Sequence, residues 1–204
     1  MSEAHRHPNQ PDVEDSPVTT YQVMARALED LLIEKGVLTP DALRRQIEDA
    51  DVRGPANGAR LIARAWTDED FESRLLRSVN QTAPELGIDA GTTPITAVKN
   101  TRAVHNVIVC TLCSCYPTML LGSPPDWYKS GAYRSRVVRA PRAVLAEFGT
   151  EIGADVEVRV HDSSADLRYL VIPMRPEGTD GLDEEALAGL VTRDCMIGTA
   201  LPIT

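Results

Sequence analysis

Val109-Cys110-Thr111-Leu112-Cys113-Ser114-Cys115-Tyr116-Pro117 is the stretch from which the rest of the chain is read. Three of the four cysteines fall inside it, directly after the apolar run Val107-Ile108-Val109. Thiolates select soft or borderline transition metals. A disulfide between positions two apart would be strained, and a structural zinc site wants four ligands, usually as two separated pairs. The fourth cysteine, Cys195, lies far down the chain beside Met196-Ile197, where a buried, inert thiol is expected. The candidate is therefore a metal centre on a tight loop leaving a strand, with spare thiols as the alternative. Cys113-Ser114-Cys115 places two backbone amides, those of Ser114 and Cys115, between two sulfurs. If the amides lose their protons, S–N–N–S wraps an ion in one plane, and Cys110 supplies a sulfur from one axial side. The opposite position stays open, which is what separates a catalytic from a structural site. Such anionic donors favour a trivalent, low-spin ion over Zn²⁺.

Composition sets bounds on what this centre serves. With 204 residues, 43% hydrophobic and 25% charged, the chain suits one or two globular domains with a real core. Aromatics are only 4%, so aliphatic side chains are expected to fill that core. A net charge of -9 argues against a general phosphate-backbone binder, so no nucleic-acid partner is expected. No apolar stretch approaches the ~18 residues of a membrane span, and Met1 to Pro8 lacks the apolar core of a secretory signal. A cytoplasmic location follows as the expectation, and reduced thiols there favour metal or redox chemistry over structural disulfides.

Working outward, residues 1–18 read as a flexible arm, residues 19–86 as a helical N-terminal region, and residues 87–204 as an α+β metal-binding catalytic domain. The expected fold class is thus α+β, a helical region packed beside a layered α/β domain. Apolar spacing predicts a helix from Thr19 to Lys35 stopped by Gly36. A second is predicted from Thr39-Pro40 to about Ala50. A short helix, Ala59 to Trp66, follows the break Gly54-Pro55-Ala56-Asn57-Gly58, and Thr67-Asp68-Glu69-Asp70 resembles a capping box for a helix ending near Ser78. Trp66 and Phe71 are read as packing residues. Beyond the break near residue 87, Ile95 to Val98 and Val104 to Val109 read as strands. Tyr133 to Phe148 reads as a helix interrupted or kinked at Pro141. Val156, Val158 and Val160 alternate with polar residues as a half-buried strand. Asp162-Ser163-Ser164 reads as a turn into a second strand, Leu167 to Ile172, giving a hairpin. A last helix is expected from about Asp183 to Arg193. His105 and His161 are read as structural and surface histidines. Arg134, Arg136, Arg139 and Arg142 form a basic cluster.

Val109 to Pro117 closely resembles the metal-binding signature of the nitrile hydratase α subunit. The likeness continues through Leu121-Gly122-Ser123-Pro124-Pro125-Asp126-Trp127-Tyr128-Lys129, Tyr133 to Arg139, Pro141-Arg142, Asp162-Ser163-Ser164, Arg168-Tyr169, Pro173 to Thr179 and Val191 to Asp194, spanning residues 19–200. The resemblance implies a non-haem Co(III) or Fe(III) bound by Cys110, Cys113, Cys115 and the backbone amides of Ser114 and Cys115. It implies a sulfinic acid at Cys113, a sulfenic acid at Cys115, both rungs of the cysteine oxidation ladder, and an unmodified Cys110. Thr111, where iron members typically carry Ser, points to cobalt. The implied reaction is hydration of a nitrile to an amide, with Cys113 and Cys115 as the catalytic sulfurs. The implied partner is a β subunit, whole or split, whose arginines face the oxidised sulfurs; the basic cluster of this chain would tie it to that partner. A metallochaperone is a further expected partner, and the hydroxyls of Thr111 and Ser114 are expected to support the metal.

The departures concern the pocket. Members usually show Cys-Tyr-Pro-Trp-Pro or a near variant, whereas Thr118-Met119-Leu120 follows Tyr116-Pro117 here. Members also tend to carry a Gly-x-Gln-Gly-Glu-like stretch upstream, where this chain has Ala90-Gly91-Thr92-Thr93-Pro94. Both changes remove side-chain volume, at Gly91 and Thr118, so a roomier site for a bulky nitrile, heteroaromatic or nucleoside-type, is the expectation. Two alternatives stand beside the leading reading: the cobalt-binding subunit of a thiocyanate hydrolase-like enzyme, and a non-enzymatic metal-binding module with a vestigial site.

Overall fold

Two parallel strand pairs carry the metal loop. In the computed structural model, which describes residues 20–40, 42, 43 and 54–203, β1 (Ile95–Lys99) pairs with β4 (Arg168–Ile172), and β2 (Val104–Val109) pairs with β3 (Glu157–Asp162). Both pairs are parallel, with Ile95 opposite Arg168 in one and Val109 opposite Asp162 in the other. The hairpin expected from Asp162-Ser163-Ser164 is therefore not formed. Turn residues reverse a chain direction, but they do not choose the neighbour, and β3 and β4 each take a distant strand instead. Apolar residues buried almost without interruption along Val107-Ile108-Val109 suit a parallel strand covered on both faces.

The chain divides into two compact units, Met1–Glu48 and Asp49–Thr204. In the first, α1 (Thr20–Glu34) ends where Gly36 takes φ 68, as its composition predicts. Thr39 Oγ1 accepts from Ala42 N at 3.1 Å, the contact expected of an N-cap. The rest of that predicted second helix lies outside the described residues, as does the arm of residues 1–18.

The second unit holds everything else. Here α2 (Pro55–Thr67), α3 (Glu69–Arg77) and α4 (Val79–Thr82), with the 3-10 turn Ala83–Leu86, share one core with the strands: Leu61, Phe71, Leu75, Ile108, Leu170 and Met196 are all but fully buried. The change of composition near residue 87 thus marks a change of secondary structure inside this unit. Asp68, not Thr67, caps α3 by accepting from Phe71 N at 2.9 Å, while Thr67 Oγ1 bonds back to the α2 carbonyls of Ala63 and Arg64. Trp66 packs as expected and also donates from Nε1 to Pro173 O at 2.8 Å.

Beyond the metal loop come α5 (Thr118–Leu121), α6 (Asp126–Lys129), α7 (Gly131–Val137) and α8 (Pro141–Glu147), so Pro141 separates two helices. The final helix is also two, α9 (Glu184–Gly189) and α10 (Arg193–Ile197). The first is capped at Leu190, and Thr192 caps the second, accepting from Cys195 N at 3.3 Å. Cys195 is buried, as expected. The scarce aromatics are gathered behind the metal loop. Tyr116 meets Tyr128 with ring centroids 5.1 Å apart, and Trp127 meets Tyr133 at 4.9 Å and Phe148 at 4.6 Å. Such edge-to-face contacts give a stiff wall behind the loop, while aliphatic side chains fill most of the core as expected.

Candidate metal centre

The metal loop begins where β2 leaves the core. Cys110 is wholly buried, Cys115 half-buried and Cys113 exposed. The amide of Cys113 donates to Cys110 Sγ at 3.3 Å, curling the loop back on itself. Cys110 Sγ lies 3.4 Å from Cys113 Sγ, which lies 3.2 Å from Cys115 Sγ, and the three sulfurs all fall within 4.8 Å of one another. At a metal–sulfur length of about 2.3 Å, sulfurs at a right angle sit roughly 3.3 Å apart and those at a tetrahedral angle roughly 3.8 Å. The observed separations match the right angle. The residues present fit an octahedral or square-based ion better than tetrahedral zinc. The amides of Ser114 and Cys115 both lie against the Cys113 sulfur, where donors of an equatorial set would have to be.

Packed sulfurs divide their protons unequally. The neighbouring thiol of Cys115, then that of Cys110 and the Ser114 amide, stabilise a Cys113 thiolate and pull its pKa down to about 7. Burial first, and the adjacent Cys113 second, push Cys115 up to about 12. Cys113 is therefore the first of the pair to ionise, and metal ligation requires the thiolate form.

Parallel pairing supplies the support. Because β3 runs alongside β2, Asp162 arrives opposite Val109, and its two carboxylate oxygens accept from Thr111 N at 2.9 Å and Thr111 Oγ1 at 2.6 Å. Ser163 N also donates to Val109 O at 2.7 Å. Tyr128 donates its hydroxyl to Cys115 O at 2.9 Å, Tyr133 donates to Ile108 O at 2.8 Å, and Arg134 Nη1 reaches Thr111 O at 3.4 Å. Asp162, read from sequence as a turn former, thus holds the loop. No sequence signal marks it, because the role depends on which strand β3 pairs with. Tyr128 and Tyr133 were equally silent.

The remaining candidates separate. Arg136 pairs with Glu147, Arg139 Nε donates to Ser135 O at 2.9 Å and Arg142 Nη1 to Ile152 O at 3.0 Å, so of the basic cluster only Arg134 touches the loop. His105 is buried, with Nε2 2.7 Å from Gly198 O and Nδ1 3.3 Å from Asn100 Nδ2, and desolvation lowers its pKa. His161 is not a surface residue: it is half-buried, 2.8 Å from Asn106 Oδ1 and stacked at 5.0 Å on Tyr169. The β2–β3 pairing again explains the difference. Gly91 and Thr118 do come together, in the walls of a cavity of about 240 Å³ that follows directly on Cys115 through Tyr116 and Pro117. Asn80 shapes the far wall, donating to Gly91 O at 2.9 Å and Thr93 O at 3.0 Å. A larger cavity of about 350 Å³, beside His105 and Leu201, contains none of the three loop cysteines in its wall.

Residues 19–200 match the family described as nitrile hydratase, alpha chain. The chain belongs to this family. A low-molecular-weight cobalt-containing nitrile hydratase subunit alpha from Rhodococcus rhodochrous is 47% identical over 92% of this chain and 93% of its own length. Thiocyanate hydrolase subunit gamma from Thiobacillus thioparus is 40% identical over 91% of this chain and 81% of its own. Among solved structures, an Fe-type nitrile hydratase double mutant from Comamonas testosteroni superposes with a TM-score of 0.83 at 39% identity, covering 90% of this chain and 91% of that one. As a nitrile hydratase α-chain family member the protein has an α+β fold and a three-cysteine metal site. No helix among its described residues is long and apolar enough to cross a membrane.

Proposed function

We propose that this chain is the α subunit of a cobalt-dependent nitrile hydratase, adding water to a nitrile to give the amide. The reading rests on the right-angle spacing of Cys113 Sγ from Cys110 Sγ and Cys115 Sγ, 3.4 and 3.2 Å, on a loop whose second residue is Thr111. Cys110, Cys113 and Cys115, with the backbone amides of Ser114 and Cys115, would hold a low-spin Co(III). Such an ion supplies Lewis acidity that makes the nitrile carbon open to attack by water or by a sulfenate oxygen at Cys115.

The chain's own residues do the positioning. Asp162 fixes Thr111, and with it the turn that brings Cys113 back to Cys110. Tyr128 fixes the Cys115 carbonyl and so limits where the Cys115 sulfur points. Burial grades the three sulfurs from wholly buried Cys110 through Cys115 to exposed Cys113. Oxidation follows access, and this order supports a sulfinic acid at Cys113, a sulfenic acid at Cys115 and an intact Cys110. The exposed loop supports a β-type partner, whole or split, that closes the site, assisted in metal loading by a metallochaperone in the cytoplasm. The division of labour supported here is an N-terminal helical segment and a catalytic unit bearing Cys110 to Cys115.

The test is co-expression with the neighbouring partner gene, followed by metal analysis and product assays. Cobalt near one per chain with amide formed from a nitrile is expected. Carbonyl sulfide and ammonia from thiocyanate, with no amide, would move the chain to the second reading, which its 40% identity to a thiocyanate hydrolase subunit favours. Bound cobalt without either product would leave only a metal-binding module.

A further inference from the structure

The cavity beside the metal loop runs between Gly91–Thr93 on one side and Tyr116, Thr118 and Met119 on the other, with Arg168 in its wall and no acidic side chain among its lining residues. Arg168 is anchored by its backbone, whose N–H donates to Pro94 O at 2.9 Å and whose Cα lies opposite Ile95. Its Nη1 is shielded from water and has no hydrogen-bond partner among the described residues. A guanidinium N–H in that condition is expensive to leave unmade, and because Arg168 is only half-buried and lines the cavity, a small turn of its flexible side chain would open it to an acceptor bound there. At about 240 Å³ the cavity is smaller than a site for a whole drug-sized ligand, which begins at about 300 Å³, and suits a ring-sized fragment.

We infer that Arg168 is a specificity-determining residue that donates a hydrogen bond to an acceptor (carbonyl, ring nitrogen or carboxylate) on the body of the nitrile, seated in this cavity. The substrate class is then a nitrile carrying a polar acceptor on a ring-sized group. This deepens the nitrile hydratase reading and rests on it.

The cobalt-loaded complex with its co-expressed partner is assayed with 3-cyanobenzamide and the similarly sized, apolar 3-isopropylbenzonitrile. A kcat/KM ratio favouring the carboxamide by about tenfold to a hundredfold is expected, the range for a hydrogen bond to a charged group, carried mainly in KM. Arg168→Gln should bring the ratio close to unity, and Arg168→Lys should restore part of it. Calorimetry with isophthalamide and 3-isopropylbenzamide, on metal-loaded and metal-free complex, should show the same preference and the same loss. A wild-type complex with no preference, or a ratio untouched by Arg168→Gln, overturns the inference. So does a variant that loses its partner subunit while keeping the ratio, since Arg168 would then be an interface residue. If Arg168→Gln does not assemble, Thr118→Phe fills the cavity from its exposed rim and must weaken isophthalamide binding; unchanged binding refutes the assignment. A complex that prefers isophthalamide through Arg168 but hydrates no nitrile would sink the functional reading and leave the cavity assignment standing.

Discussion

Asp162 spends both carboxylate oxygens on Thr111, the residue between the first thiolate and the turn. The pair is short, and the amide bond fixes backbone while the hydroxyl bond fixes side chain, so the loop cannot rotate at Thr111 without breaking both. Asp162→Asn keeps the size but can offer only one acceptor oxygen, leaving Thr111 N or Oγ1 unpaired. Metal-supporting groups of this kind are worth about 10- to 100-fold in affinity or activity, and a loss in that range is expected in cobalt per chain and in kcat. Tyr128→Phe removes one neutral hydrogen bond to the Cys115 carbonyl, so a stability loss of about 1 kcal/mol, seen in urea unfolding, is expected with a smaller loss of cobalt. The three sulfurs were legible in the sequence because their spacing alone limits what they can bind. Asp162 was not, since nothing in Asp162-Ser163-Ser164 says whose loop it will face.

Elements in this fold meet at glycines and histidines that sequence patterns describe poorly. α10 ends at Gly198, which takes φ +92, and a Cβ there would stand 2.0 Å from Asn106 O in β2. Gly198→Ala must therefore separate α10 from the strand that delivers the metal loop. A destabilisation of roughly 2–4 kcal/mol is expected from overpacking plus left-handed backbone strain, measured by chemical denaturation of the metal-free chain. At the same junction buried His105 donates from Nε2 to Gly198 O at 2.7 Å, and desolvation holds its pKa below the ordinary 6.5. The unfolded chain then binds the proton more readily than the folded one. The stabilisation is complete above pH 6.5 and falls as the pH drops through that value towards the folded pKa, with half-buried His161 acting in the same direction. Urea midpoints measured between about pH 5 and 8 should decline on the acid side, and His105→Gln should flatten that decline; an unchanged slope would show the histidine to be irrelevant. The helix starts at Asp68 and Asp183 were readable because those residues cap with their own side chains, whereas the start at Thr192 was hidden inside what read as one continuous helix. Strand neighbours were not readable, because a parallel pair is joined through space by residues far apart in the chain.

On the scale of the whole molecule, the metal loop is at the surface. Leu112 is 86% exposed and Cys113 and Ser114 are exposed beside it, while the strands and the aromatic wall beneath are buried. An electrostatic site works best where water is excluded, and nothing else in the described residues covers these three. The chain has built a rigid floor, of Asp162, Tyr128 and Tyr133, and the proposed partner subunit would supply the roof. The covering partner should then govern metal retention more than metal choice, since the thiolates that select the ion all belong to this chain. Cobalt loss to a strong thiol chelator is the measurement that separates these contributions. The isolated chain, loaded with cobalt, should release it several-fold faster than the assembled heteromer, and Leu112→Ser should speed release from the heteromer by loosening the contact above the loop. Equal release rates from the isolated and assembled forms would mean that the floor alone holds the ion, and the exposed loop would need no roof.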